Sequence, residues 1–131
     1  QKLFMTICEP LADRATFIKP GDEVVSGIRS IDAAGHSPGL MAFHIESDGK
    51  RFVITADTFT QYVMAVQKPE WHFEMDDDKD KGVATRKRML DMLATDKLFF
   101  ASFHMPYPGI GWIDKTSAGY RWVAHSYQLN L

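Results

Sequence analysis

Gly35-His36-Ser37-Pro38-Gly39 sets a histidine between glycines and a proline, and two apolar runs flank it, residues 24–34 and 40–47. That composition predicts a rigid turn joining two strands, with the histidine displayed on the turn rather than packed in a face. Downstream, Arg51-Phe52-Val53-Ile54-Thr55-Ala56 reads as a buried strand that runs into Asp57. Residues 98–103 form another apolar strand, closed by His104 and then Met105-Pro106-Tyr107-Pro108-Gly109. Three side chains able to bind a metal therefore follow strands, each at the mouth of a loop, where α/β scaffolds place their chemistry.

Around these points the chain alternates strand and helix patterns. Residues 1–20 suit a short helix ending near Lys19-Pro20, and Pro20-Gly21-Asp22-Glu23 a turn. Residues 24–34 read as one strand with a bulge at Gly27. Residues 40–47 alternate, with Met41, Phe43 and Ile45 on one side, and Ser47-Asp48-Gly49-Lys50 is a hairpin turn into 52–56. Residues 59–67 suit a helical turn ended by Pro69. Residues 82–95 suit a helix with Val83, Leu90, Leu93 and Ala94 on one stripe. The acidic run 76–81 reads as its solvated start, where acids meet the positive end of the dipole. It has neither the central glycine nor the terminal glutamate of a calcium loop. Residues 119–124 close as a last strand. The class is α/β or α+β, with a sheet flanked by helices.

The motifs resemble the second half of the metallo-β-lactamase fold. Gly35-His36-Ser37-Pro38-Gly39 is similar to its Gly-His-Thr-Pro-Gly motif, Asp57 to its metal-bridging acid, and His104 to its last metal histidine. The wording around His104 is closest to the branch containing methyl parathion hydrolase and related lactonases. The resemblance covers residues 24–123. Ser37 departs mildly from the usual threonine, and Leu40 stands where many relatives have a second histidine. True β-lactamases of this type use cysteine near Asp57; here the single cysteine is Cys8, which disfavours β-lactam hydrolysis.

The resemblance implies two divalent metal ions, zinc foremost, bound in an intact enzyme with His36, Asp57 and His104 as ligands and Asp57 as the catalytic, bridging carboxylate. It implies metal-activated water attacking a lactone, ester or phosphotriester. Tyr107, in the loop after His104, is the leading substrate-binding candidate. Phe59, Trp71 and Trp112 fit pocket lining and core packing equally. The ligands should converge at one sheet edge, within roughly 4–7 Å of one another. Simpler roles stand beside these: His36 as a turn histidine, Asp57 as a helix N-cap, His104 as a buried histidine bonded to backbone. His44 reads as a sheet-face residue, His72 as packing or pocket lining, His125 as surface.

The first metal motif of that fold, His-x-His-x-Asp-His, is absent from the sequence. The expected organisation is therefore a single partial domain over 1–131, the C-terminal half of an αββα sandwich, inactive alone. It would expose an apolar sheet face bearing Val25, Ile28, Phe43, Ile45, Val53 and Phe103, to be covered by the missing N-terminal half or a second copy. The competing reading is a non-catalytic fragment or interaction module that keeps the fold. A net charge of −2 gives no case for nucleic acid or a membrane surface. No run approaches the ~18 apolar residues of a membrane span. One cysteine permits no intrachain disulfide and leans slightly towards the cytoplasm.

Overall fold

A computed structural model describes residues 2–126; Gln1, at the start of the expected first helix, lies outside the described residues. The N-terminal arm holds helix α1 (Lys2–Ile7) and a 3-10 turn (Glu9–Arg14), neither with a buried residue. Seven strands follow: β1 (Glu23–Val25), β2 (Ile28–Asp32), β3 (Met41–Ser47), β4 (Lys50–Ile54), β5 (Phe99–Ala101), β6 (Ile110–Thr116) and β7 (Gly119–Ala124). They form one sheet in sequential order. Every neighbouring pair is antiparallel except β4 and β5, which run parallel. A parallel pair needs a crossover, and this one carries α2 (Tyr62–Gln67) and α3 (Lys79–Thr95).

Helix α3 begins at Asp78, whose side chain accepts from the Lys81 N–H at 2.9 Å. It buries Gly82, Thr85, Arg86, Met89, Leu90 and Leu93, a 3.6-residue stripe. The stripe differs from an all-apolar one: Leu90 and Leu93 lie in it, Val83 and Ala94 only border it, and Arg86 is at its centre. α3 lies against β6 and α2 against β7. Under them Ala42, Val53, Phe100 and Ile113 make a buried core with Val66, Leu90 and Leu93. Phe59 and Trp122 meet the Phe100 ring edge-on, with centroids 5.7 and 5.0 Å away.

Among the described residues no helix layer covers the opposite face of the sheet. Strand register puts Phe43 beside Ile54 and Ile45 beside Phe52, then Phe52 beside Phe99. These and Trp112 are only partly buried, and Phe99 is exposed. Val53 does not belong to this face: side chains alternate across a strand, and Val53 is fully buried under the helices. Phe103 has left the sheet for the loop after β5 and is exposed.

Residues 24–34 are a hairpin rather than one strand. Gly27 takes φ +82 between β1 and β2, and a Cβ there would lie 2.5 Å from the Glu46 carbonyl oxygen. Only glycine combines that backbone with that approach. The tight turn at Asp48 and Gly49, both at positive φ, joins β3 to β4 as the sequence predicts.

Candidate metal centre

Sheet register decides where the three candidate ligands go. The loop bearing His36 joins β2 to β3, whose ends pair as Asp32 with Met41. Phe43 pairs with Ile54, and Ile54 with Ala101. The loops after β4 and β5 therefore leave the same end of the sheet as the His36 loop.

Asp57 lies inside a 3-10 turn, Ala56–Thr58, directly after β4. Ala56 takes φ +46, unfavourable for an L-residue by about 1–2 kcal/mol, and this turns the chain out of the strand. The kink is tied down by its surroundings. The Thr58 hydroxyl donates to the Thr55 carbonyl at 2.7 Å, and the Ser102 hydroxyl to the Ala56 carbonyl at 3.1 Å. The second bond fastens the Asp57 turn to the His104 loop. His104 Nε2 then lies 3.1 Å from Asp57 Oδ1, both side chains being partly open to solvent. Asp57 is thus not a helix N-cap, and His104 is neither buried nor bonded to backbone.

His36 is held from behind. Its Nδ1 lies 3.3 Å from Asp76 Oδ1, and its ring is one quarter exposed. Its loop is fastened to the start of α3. The Asp78 N–H donates to the Gly35 carbonyl at 3.0 Å, the Asp77 N–H to the His36 carbonyl at 3.3 Å, and the Thr85 hydroxyl to the Ala34 carbonyl at 2.7 Å. Gly35, at φ +141, lets the two backbones touch: a Cβ there would be 2.5 Å from the Gly82 backbone.

Asp57 and His104 are brought into contact, whereas His36 pairs with Asp76. Among the described residues no three His, Cys, Asp or Glu side chains group closely enough to hold a metal by themselves. Imidazole nitrogen and carboxylate oxygen are the donors zinc takes, so the residue types fit while their number does not complete a site. Tyr107 is 97% exposed. It borders a cavity of about 490 Å³ whose walls include Ile54, Phe103, Met105 and Pro108.

The remaining histidines are elsewhere. His72 pairs with Asp80 at 3.0 Å and is exposed rather than packed in the core. His125 is half-buried, its ring edge-on to Phe99 at 5.5 Å, rather than free on the surface. His44 is a sheet-face residue in β3. Asp76 is the residue that sequence reasoning misses: it is buried, not part of a solvated helix start. The signal lies in Arg86, a cation placed on the buried stripe of α3 and therefore in need of a carboxylate.

This architecture is part of the metallo-β-lactamase fold, a mixed α+β arrangement of sheet and flanking helices. No family model and no curated protein matches the sequence. Solved structures do. The chain is similar to AidC, a dizinc quorum-quenching lactonase solved with the product N-hexanoyl-L-homoserine, at 28% identity and a TM-score of 0.86. The match covers 96% of this chain and 43% of AidC. It is similar to the hydrolase AbOPH of the β-lactamase superfamily at 26% identity and a TM-score of 0.87, covering 96% of this chain and 44% of that one. A probable metal-dependent hydrolase from Staphylococcus aureus shares the fold at 21% identity, with a TM-score of 0.68 over 88% of this chain and 42% of that one. The chain thus spans less than half the length of the hydrolases it resembles. Among the described residues no helix is long and apolar enough to cross a membrane.

Proposed function

We propose that this chain is the C-terminal half of a two-metal hydrolase acting on a lactone, ester or phosphotriester, the last by way of its resemblance to the methyl parathion hydrolase branch. The supporting observation is the meeting of Asp57 and His104 at the ends of the parallel pair β4 and β5, with the His36 loop leaving the same end of the sheet. Two divalent metals, zinc foremost, supply when bound an activated water and a positive charge facing the developing oxyanion. The chain contributes His36, Asp57 and His104 as ligands, and Asp57 can serve two ions because a carboxylate has two oxygens. The cavity beside the His104 loop takes the apolar part of the substrate, and Tyr107 at its rim offers an aromatic face and a hydroxyl.

The remaining ligands come from an N-terminal half, and the same half covers the open apolar face of the sheet. That AidC and AbOPH are each more than twice the span matched here supports such a partner in the same polypeptide. Alone, the chain brings too few ligands and is inactive. The test is hydrolysis by the intact protein, loaded with zinc, of acyl-homoserine lactones, aryl esters and aryl phosphotriesters. Metal-dependent turnover of one class is expected, with Asp57→Asn lowering kcat at least 100-fold, about the scale of one lost charge-stabilising group. Zinc-loaded intact protein that turns over none of the three leaves the non-catalytic reading in its place.

A further inference from the structure

Asp76 has no part in the ligand set above, yet it is among the most enclosed charges in the molecule. Its side chain is 1% exposed and that of Arg86 2%. Arg86 Nη1 donates to Asp76 Oδ2 at 2.6 Å, Nη2 to the Trp71 carbonyl at 2.7 Å and Nε to the Pro69 carbonyl at 3.4 Å. The guanidinium also lies 4.3 Å over the Phe73 ring. Gly82 leaves room for the pair, since a Cβ there would be 2.5 Å from Asp76 Oδ2. Arg86 is therefore fixed from several sides, and through it one oxygen of Asp76.

Stability alone does not require this arrangement. Withdrawing two charges from water costs several kcal/mol per ion, and a matched apolar pair often serves a core as well or better. What the ion pair provides, and an apolar pair would not, is the second carboxylate oxygen. That atom, Oδ1, is the one 3.3 Å from His36 Nδ1. An ionised carboxylate only accepts, so in the neutral imidazole the hydrogen between them belongs on Nδ1, which leaves Nε2 its lone pair. Carboxylates behind metal-bound imidazoles fix tautomer and ring direction in this manner.

We propose that Asp76, clamped by Arg86, is a positioning residue that sets the tautomer and direction of the His36 ring so that Nε2 is presented to a metal. The proposal rests on the reading of His36 as a ligand. The two are separated by measurements on the intact protein. In the metal-free wild type at pH 8, long-range ¹⁵N–¹H correlation should place the His36 ring hydrogen on Nδ1; a hydrogen on Nε2 overturns the proposal. The double variant Asp76→Leu/Arg86→Met removes the charges together and keeps the volume. It should retain the wild-type circular dichroism spectrum, lose the tautomer preference, and bind zinc about 10- to 100-fold more weakly in competition with a chromophoric chelator. His36→Ala supplies the control. If it binds zinc as wild type does, the ligand reading falls and the positioning role with it. If it weakens zinc while the folded double variant does not, the positioning role alone is overturned. Should the double variant not fold, the wild-type tautomer decides.

Discussion

The two faces of the sheet carry nearly the same apolar side chains and meet opposite environments. Phe100 and Val53 lie under α2 and α3, fully buried. Phe99 and Phe52, their neighbours in sequence, point the other way and are partly open. An antiparallel sheet with one wet face alternates apolar and polar residues; strands buried on both faces read as continuous apolar runs. β4 and β5 have the second pattern. The sheet therefore has the residue pattern of a middle layer, and this chain supplies one covering layer.

The comparison breaks most visibly at adjacent phenylalanines. Phe100→Ala should cost about 3–5 kcal/mol in chemical denaturation, the usual cost of a large ring removed from a core. Phe99→Ala in the same isolated chain should cost less than about 1 kcal/mol, because its side chain is already partly wet. In the intact protein the two values should approach each other if a second layer covers Phe99. Equal costs in the isolated chain would mean that both faces are already covered.

A smaller effect concerns association. The open face should drive the isolated chain to pair, since soluble monomers rarely expose apolar patches beyond a few hundred Å². Ile45→Lys, between Ile28 and Phe52 on that face, should shift it towards monomer in light scattering at micromolar concentration. A wild-type chain that is already a stable monomer there would show that the face tolerates water.

The smallest effect is at the rim of the covered face. Asp91 of α3 accepts from Lys115 of β6 at 3.1 Å and from the Tyr120 hydroxyl of β7 at 3.3 Å. The hydrogen bond and the charge of Lys115 hold the Asp91 carboxyl below its ordinary 3.8. A lowered carboxylate pKa contributes stability above the unfolded value, and the contribution is lost as pH falls through the folded one. Asp91→Asn should therefore lower Tm slightly at neutral pH and by less in strong acid, as the contribution is lost with falling pH. An equal fall in Tm at both would mean that packing, not charge, is what the substitution removes.

Much of this layering is legible from the residues. Asp48-Gly49 names its hairpin, the 3.6-residue stripe names α3, and each of the three loops bearing a candidate ligand follows a strand, as its sequence predicts. Gly27 misleads because Val25 and Ile28 flank the Ser26-Gly27 pair, so a two-residue turn passes for a bulge. Val53 misleads because the face a strand residue takes depends on register, and one step of register exchanges the faces. Asp76 is the deeper case. In a run of acids and lysines every carboxylate resembles a solvated one. Its burial is decided by Arg86, ten residues on, and by His36, forty residues back. Pairings at such distance leave no local pattern.

The contact of Gly35 with Gly82, and the three hydrogen bonds beside it, bear on how the molecule opens. The carbonyls of Ala34, Gly35 and His36 are all occupied by donors from α3 or the segment leading into it. The loop cannot loosen without breaking its bonds to Thr85 and to the segment that leads into a seventeen-residue helix. Loop and helix should thus behave as one cooperative unit, the amides of Asp77 and Asp78 exchanging with solvent only as that unit opens. A histidine held in this way is ordered before any ion arrives. The entropy of fixing it is met during folding, so the ion binding proposed for His36 would demand no rearrangement of the loop.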